Sequence, residues 1–243
     1  MNTHYLNLAL EDSIGIITIN NPPHNSLTQP LMEEFFQILN FLQKTEVKAL
    51  IITGSSKCFC SGVDINELKK INSRLDAENL TIRGQDLLNR VENFHIPVLA
   101  AINGVCLGGG AELALSCHVR YCSDRAVFGF PELSLGIIPA LGGTQRLHRA
   151  IGYGKAFELI LTGNIVNARE AREIGLVEGV FPRDGLLREV KRIAKNISSK
   201  NPHAVRFVME SILSPVRKEL SLQIRKDAHL NSIIFSQNTK SSD

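Results

Sequence analysis

Two glutamates twenty positions apart, Glu112 and Glu132, are the residues of this chain best suited to proton chemistry. Glu112 follows a triple glycine and one alanine, and Glu132 lies between a Phe-Pro pair and a leucine. If the fold brings both carboxylates to one cavity, they form an acid/base pair that can move a proton and activate a water molecule. Structural interpretations stay open for each: Glu132 could cap a nearby backbone segment, and Glu112 could point outward from its helix.

Two glycine-containing loops could place hydrogen-bond donors beside these carboxylates. An apolar strand predicted over residues 49–53 leads through a loop at 55–63 to a helix that starts near Asp64. A second strand, predicted over 97–102, leads to the triple glycine and a helix over 111–117. Helix N-termini expose unpaired N–H groups, and two of them aimed at one point make an oxyanion hole. For either loop alone, tight packing of strand against helix is the simpler interpretation.

Sequence motifs of other common chemistries are absent. The triple glycine is not followed by Gly-Lys-Ser/Thr and does not match the G-x-G-x-x-G dinucleotide motif. Ser116 lacks the G-x-S-x-G surroundings of a hydrolase nucleophile. The five cysteines and seven histidines show no metal-ligand spacing, so no metal site is predicted. Because the cysteines are odd in number and form no regular framework, we expect reduced thiols in a cytosol-like compartment.

The composition is that of an ordinary globular protein, with 44% hydrophobic and 21% charged residues among 243. This length predicts one domain, or one domain with an appendage. A net charge of +3 is too small to imply a polyanionic partner, and the basic residues over 188–200 are spaced for the exposed face of a helix. The sequence has neither a signal-peptide pattern nor an apolar run of about 20 residues. We therefore expect a cytoplasmic protein with no nucleic-acid and no membrane partner.

The predicted elements alternate between strands and helices in the first two thirds of the chain. A hairpin is predicted over 5–10 and 14–19, followed by a helix capped by Thr28. Residues 71–79 are polar and weakly patterned, which predicts a mobile segment. Such an order indicates an α/β core with a helical C-terminal region. Further strands are predicted over 119–122, 127–128 and 177–180, and further helices over 143–151, 154–162, 167–174, 184–198, 202–213 and 218–235.

Taken together, these segments resemble the crotonase superfamily, and most closely its enoyl-CoA hydratases. The similarity extends from about residue 5 to about residue 235, with the motifs in the family's order. The segments that carry it are 51–54, 58–65, 101–114, 128–132, 135–139 and 142–147.

The resemblance implies a spiral of β-β-α repeats over residues 1–190 and a helical region over 191–243. In the family that helical region builds homotrimers or dimers of trimers. Relatives usually continue into one more helix, rich in Phe, Lys and Arg, that helps to close the coenzyme A site. The C-terminal region of this sequence is therefore shorter than is usual in the family.

The resemblance also implies a coenzyme A thioester as substrate, with coenzyme A as part of the substrate and no tightly bound cofactor. By position, the N–H groups of Val63 and Gly109 would form the oxyanion hole around the thioester carbonyl. Glu112 would orient and deprotonate the water that attacks Cβ, while Glu132 would deliver a proton to Cα. Many superfamily members of other activities lack one or both glutamates, so the retained pair favours a hydratase.

The resemblance assigns further residues to the substrate channel. Asn25, Ser61, Asp64 and Ile65 lie where the family lines its coenzyme A channel, mostly through backbone groups. Ala140 stands in the turn beside the catalytic water, where hydratases commonly have glycine. In addition, His118 replaces a usual aspartate, which we interpret as a structural change.

Two other functions remain open at this point, besides RNA binding, which predicts retention on a polyanion with strong salt dependence. One is a different crotonase reaction on an acyl thioester, such as isomerisation of a 3-enoyl-CoA, for which Glu132 alone could shuttle the proton. The other is a non-catalytic binding protein that keeps the crotonase fold. Loss of a 2-enoyl-CoA would indicate a hydratase, and a double-bond shift of a 3-enoyl-CoA would indicate an isomerase. Absence of both reactions would indicate a binding protein.

Overall fold

The computed structural model describes residues 3–238, and the strands in this range form two sheets. The larger sheet has the strand order β1-β2-β3-β5-β7-β10. Its first two strands are an antiparallel hairpin, as predicted, and every later neighbour is parallel. Its strands are β1 (Leu6–Glu11), β2 (Ile14–Ile19), β3 (Ala49–Gly54), β5 (Val98–Ile102), β7 (Val119–Ser123) and β10 (Gly179–Phe181).

The smaller sheet has the order β4-β6-β8-β9. Strands β4, β6 and β8 run parallel to one another, and the short β9 closes the edge in antiparallel sense. These strands are β4 (Cys58–Cys60), β6 (Val105–Leu107), β8 (Val127–Gly129) and β9 (Val166–Asn167).

Successive strands alternate between the two sheets. The chain places β3 in the larger sheet and β4 in the smaller one, and it repeats this step with β5 and β6 and with β7 and β8. Helices follow the first two of these strand pairs, and a 3₁₀ helix, Pro131–Leu135, follows the third. The arrangement confirms the predicted spiral of β-β-α repeats.

Several helices begin at side chains that satisfy their free N–H groups. Thr28 accepts a hydrogen bond from Leu31 N–H at the start of α1, and Asn167 forms a capping box with Glu170 at the start of α7. The described helices are α1 (Gln29–Leu42), α2 (Ile65–Leu68), α3 (Arg74–Glu92), α4 (Gly109–Ser116), α5 (Gly143–Ile151), α6 (Tyr153–Thr162), α7 (Ala168–Glu173), α8 (Leu186–Ser198) and α9 (Pro202–Asn238). Within residues 3–238, none of them is both long and apolar enough to cross a bilayer.

The two faces of the larger sheet are covered by different elements. One face belongs to the main core, which also includes the buried stripes of α1 and α3. The other face packs against α8, through Leu186, Val190 and Ala194. The division predicted after residue 190 falls inside this helix, and side chains on both sides of it contact the sheet.

Three predicted segments differ from the structure. No helix was predicted over residues 71–79, yet α3 begins there, at Arg74 with Ser73 as its cap. Its buried face includes polar and small residues, such as Thr81, Gly84 and Gln85, which weakens the periodic signal. The predicted loop at 55–63 contains β4, which is too short to be recognised as a strand. The helices predicted over 202–213 and 218–235 are one helix, α9, which packs along α3 and α5.

Candidate active site

Three parallel strands of the smaller sheet end at the same edge, and the candidate residues follow them. Because β4, β6 and β8 are neighbours with the same direction, the segments after their carboxyl ends lie side by side. Val63 follows β4, Gly109 starts the helix after β6, and Glu132 lies in the 3₁₀ helix after β8. The topology therefore brings together residues that are up to 69 positions apart in the sequence.

The two donor loops are in contact. Gly62 has a positive φ of 99°, and a Cβ atom at this position would lie 3.1 Å from Gly109 N. Only glycine therefore lets the two loops approach this closely. Among the hydrogen bonds of residues 3–238, none uses the N–H of Val63 or of Gly109. Helix α4 starts at Gly109, so this N–H points out of the first turn, as helix N-termini do.

Glu132 lies directly against the second donor loop. Its side chain is 7% exposed, and a Cβ atom on Gly108 would be 2.7 Å from its Oε1 atom. Gly108 also has a φ of 50°, so glycine is required there for both conformation and space. The other oxygen, Oε2, is buried without a hydrogen-bond partner in the described part of the chain. A buried carboxyl oxygen without a partner is costly in a site that serves structure alone.

Glu112 is held by the turn that precedes α5. Its side chain is 1% exposed and points inward, so the interpretation of an outward-facing residue is wrong. Gly143 N–H donates to its Oε1 atom at 2.6 Å. Glu112 therefore stands in the first turn of α4, with a backbone donor aimed at it from the start of α5.

Arg146 stabilises the turn that precedes α5. Its side chain is buried, and Nη1 donates to Leu141 C=O at 2.9 Å. The same guanidinium pairs with Glu92 at 2.8 Å and donates to Asn89, so α3 and α5 share one charged network. The positive charge of Arg146 also favours the ionised form of Glu112.

Burial dominates the electrostatics of both carboxyls. It raises the pKa of Glu112 to about 8, and the charge of Glu132 raises that pKa further, against the lowering effects of Gly143 N–H, Arg146 and Leu141 N–H. Burial also raises the pKa of Glu132 to about 7. Because the two groups interact, they titrate as a pair, and near neutral pH the pair retains a proton. Two buried glutamates with pKa values in this range are suited to acid/base catalysis at physiological pH.

These raised pKa values predict how stability depends on pH. The folded state binds protons on both carboxyls more tightly than the unfolded chain, whose glutamates titrate near 4.5. The stability that the neutral carboxyls confer is complete below about pH 4.5 and is lost as pH rises towards 8. We expect Glu112→Gln to melt a few degrees above wild type at pH 8 and close to it at pH 5. Thermal denaturation at both pH values tests this, with Glu210→Gln as an exposed control; an equal shift at both would contradict it.

One cavity of about 660 Å³ contains most of the predicted site residues. Both glutamates, the two residues predicted to form an oxyanion hole (Val63 and Gly109) and Ala140 line it, together with Ser61, Asp64 and Ile65. The rest of its wall is mostly apolar, with side chains from α1, α3 and the Pro131–Leu135 helix. Within residues 3–238, no group of three or more His, Cys, Asp or Glu residues is arranged to hold a metal ion.

Asn25 is the predicted channel residue that the cavity wall does not include. Its neighbours His24 and Ser26 line the cavity, whereas the Asn25 side chain is buried and donates to Cys58 C=O at 2.7 Å. It also accepts from Asn21 N–H and has a positive φ of 51°. The side chain therefore shapes the loop beside β4 and does not face the cavity.

His118, where the family commonly has aspartate, has a structural environment. Its Nδ1 atom accepts from Val98 N–H at 2.8 Å, and Nε2 is 3.0 Å from Glu92 C=O. These contacts join the start of β7 to the end of α3 and the start of β5.

Several site residues were missed by the sequence analysis. Gly143 and Arg146 belong to a motif that was recognised. The motif did not reveal that Gly143 donates to Glu112, or that Arg146 holds the turn before α5. Asn231, which lies in α9 and lines the cavity, gave no signal at all. Its side-chain oxygen accepts from Ile138 N–H at 3.3 Å, a contact between residues 93 positions apart.

Comparisons with known proteins show which family the chain resembles. A family model described as enoyl-CoA hydratase/isomerase matches residues 9–242. A probable enoyl-CoA hydratase of Bacillus subtilis is 38% identical over 211 residues, which is 86% of this chain and 82% of that protein. A short-chain-enoyl-CoA hydratase of Clostridium acetobutylicum is 40% identical over 208 residues, with 84% and 79% covered.

The fold is similarly close to solved structures. The crystal structure of an enoyl-CoA hydratase from Bacillus anthracis superposes with a TM-score of 0.85 at 37% identity, covering 95% of this chain and 91% of that one. With the β-β-α spiral, the paired glutamates and a family match over most of its length, the chain belongs to the enoyl-CoA hydratase/isomerase family.

Proposed function

We propose that this protein adds water across the 2,3 double bond of a 2-enoyl-CoA thioester to give a 3-hydroxyacyl-CoA. The observation that carries the proposal is the convergence of two buried carboxylates and two unpaired backbone N–H groups on one mostly apolar cavity. Relatives at 38–40% identity that are named enoyl-CoA hydratases support the same reaction. Coenzyme A enters as part of the substrate.

The oxyanion hole would activate the double bond. The thioester oxygen would accept hydrogen bonds from the N–H groups of Val63 and Gly109, which are adjacent. As water adds at Cβ, electron density moves through Cα to this oxygen, and the two donors stabilise the enolate-like charge. One donor of such a hole typically contributes about 3–4 kcal/mol in the transition state.

The two carboxyls have different surroundings, which assigns their roles. Although the pKa of Glu112 is the higher of the two, we assign it as the base, because its Oε1 atom accepts from Gly143 N–H at 2.6 Å beside the charge of Arg146, and both contacts stabilise the carboxylate. We assign Glu132 as the proton donor to Cα, because its Oε2 atom has no hydrogen-bond partner among the described residues and can carry the proton. The water oxygen bonds to Cβ and the proton of Glu132 bonds to Cα, while Glu112 takes up the proton that water loses.

The mouth of the cavity would hold the coenzyme A moiety. Ser61, Asp64 and Ile65 line it beside the oxyanion hole. Asn25 would act indirectly, by shaping the loop that carries His24 and Ser26.

A hydration assay across straight and branched 2-enoyl-CoA substrates tests the proposed function. We expect loss of the enoyl absorbance with formation of the 3-hydroxyacyl-CoA. A shift of a 3-enoyl-CoA double bond without hydration would identify an isomerase instead. Binding of acyl-CoA with no turnover of either substrate would identify a binding protein.

We also propose that the protein is a homotrimer or a dimer of trimers, as the resemblance implies. Helix α6 exposes large apolar side chains at a spacing of four, with Tyr153 69%, Phe157 62% and Leu161 65% exposed. Such a stripe is typical of an interface between subunits. Helix α6 also contacts the 3₁₀ helix that carries Glu132, so a second copy packed there would support the site.

Replacing Phe157 by glutamate is expected to reduce the molar mass in solution, because a charge would be buried in the proposed interface. Light scattering coupled to size exclusion measures this. Phe41→Glu, at an exposed phenylalanine of α1, is the control and should leave the mass unchanged. A monomeric wild type, or an assembly that Phe157→Glu does not alter, would contradict the proposal.

A further inference from the structure

Gln85 is a fully buried polar residue of α3 that the proposed mechanism does not use. Its side-chain amide Nε2 donates to Ala140 C=O at 2.7 Å and to Ile224 C=O at 2.6 Å. Its Oε1 atom has no hydrogen-bond partner among the described residues. Both bonds to Nε2 end on carbonyl oxygens, so the amide orientation is fixed by its contacts. A single side chain therefore connects α3, the turn before α5 and the long helix α9.

The first of these carbonyls belongs to the turn that holds Glu112. Gln85 holds Ala140 C=O in this turn, and Arg146 holds the next carbonyl, that of Leu141. Gly143 N–H, at the end of the same turn, donates to Glu112 Oε1 at 2.6 Å. The position of the Glu112 carboxylate therefore depends on a turn that Gln85 fixes at its Ala140 end.

The second carbonyl fixes this turn to the C-terminal helix. Ile224 lies in α9, and the same helix contacts the turn again on both flanks. Asn231 accepts from Ile138 N–H before the turn, and Asp227 accepts from the Thr144 hydroxyl after it. Ala140, which Gln85 contacts, lies between Ile138 and Thr144 in the sequence. The Gln85 amide therefore links α3 and α9 to the middle of the turn before α5.

We propose that Gln85 is a positioning residue for hydration, because it fixes the Ala140 end of the turn whose Gly143 N–H holds the Glu112 carboxylate in place. The proposal rests on the function proposed above for Glu112. It predicts that loss of the Gln85 amide impairs activation of water, while the chemistry assigned to Glu132 and the oxyanion hole continues.

The first test is Gln85→Met, which removes both hydrogen-bond donors and keeps the length of the side chain. We expect kcat for hydration to fall about tenfold to a hundredfold, with KM changed by less than about threefold. The acidic limb of the pH profile of kcat/KM should move to higher pH, because a weaker Gly143 hydrogen bond raises the pKa of Glu112. Leu88→Met, at a buried apolar position of the same helix, should leave kcat and the pH profile unchanged.

A second measurement distinguishes a positioning role of Gln85 from general damage to the active site. Exchange of the Cα proton of a saturated acyl-CoA with solvent deuterium would use Glu132 and the oxyanion hole, but not Glu112. Gln85→Met should therefore exchange this proton at nearly the wild-type rate. An equal fall in hydration and exchange would show that Gln85 is merely structural and would overturn the proposal.

The outcomes also distinguish this proposal from the proposed function. If wild type does not hydrate 2-enoyl-CoA, or Glu112→Gln is fully active, the proposed function is wrong. If Glu112→Gln is inactive while Gln85→Met retains wild-type kcat and pH profile, the role of Gln85 alone is wrong. Should Gln85→Met fail to fold, Gln85→Glu keeps the shape and offers one donor hydrogen when neutral and none when ionised. Its kcat should fall increasingly as pH rises; a wild-type pH profile would overturn the proposal.

Discussion

Replacing Glu112 by glutamine is expected to lower kcat for hydration by about a thousandfold, within the range typical of a lost general base. The amide keeps the shape of the side chain, and its oxygen can still accept from Gly143 N–H, which donates to Glu112 at 2.6 Å. The substitution therefore removes the base while preserving the geometry of the site. Because Glu112 does not hold the coenzyme A moiety in the proposed mechanism, KM should change little. Steady-state kinetics with a short 2-enoyl-CoA measures both constants.

The same variant distinguishes base catalysis from a general disturbance of the cavity. Exchange of the Cα proton of a saturated acyl-CoA should persist, because it depends on Glu132. Glu173→Gln, at an exposed position of α7, is the matched control and should hydrate as wild type does. Hydration by Glu112→Gln at the wild-type rate would refute the proposed role of Glu112.

Replacing Glu132 by glutamine is expected to abolish two activities together. Without a proton to deliver to Cα, hydration should fall by about 10²–10⁴-fold, and Cα proton exchange should fall with it. This combined loss contrasts with Glu112→Gln, which should lose hydration only. Kinetics and deuterium incorporation on the two variants, measured side by side, give the assignment of each carboxyl.

Loss of Glu132 should also change the titration of the remaining carboxyl. The charge of Glu132 contributes to the raised pKa of Glu112, so this pKa should fall in Glu132→Gln. Carbon-13 NMR of labelled glutamate side chains measures the shift directly. An unchanged Glu112 pKa, or a Glu132→Gln variant that still exchanges the Cα proton, would show that the two carboxyls do not act as a pair.

The raised pKa values of Glu112 and Glu132 imply that these carboxyls lower the stability of the fold as pH rises. Two buried carboxyls, one with an oxygen that lacks a partner, favour neutral forms and oppose folding as pH rises. The network of Arg146, Glu92 and Asn89 offsets part of this cost by fixing the turn that donates to Glu112. We expect this balance between loss and gain of stability at an active site, because burial that makes a carboxyl reactive also destabilises the fold.

The order of elements and the choice of Glu112 and Glu132 as candidate catalytic carboxyls could be predicted from the sequence. Periodic apolar segments predicted the hairpin, most of the later strands and most helices, because a buried face imposes its period on the residues that form it. The glycine-rich loops after two apolar strands predicted where donors would lie. The motifs then identified the family, and the predicted spiral is confirmed by the alternation of strands between the two sheets.

The tertiary structure alone decided which groups surround the carboxyls. Gly143 N–H, Arg146 and Gln85 reach the site because α3, α5 and α9 pack together, and the Gln85 contact to Ile224 joins residues 139 positions apart. A one-dimensional pattern records which face of a helix is buried, but not which distant carbonyl a buried amide meets. For the same reason Asn25 lines up with the family's channel in sequence while its side chain holds a neighbouring loop. The sequence determined that two glutamates and two donor loops are present; packing decided that they share one cavity and which residues hold Glu112 in place.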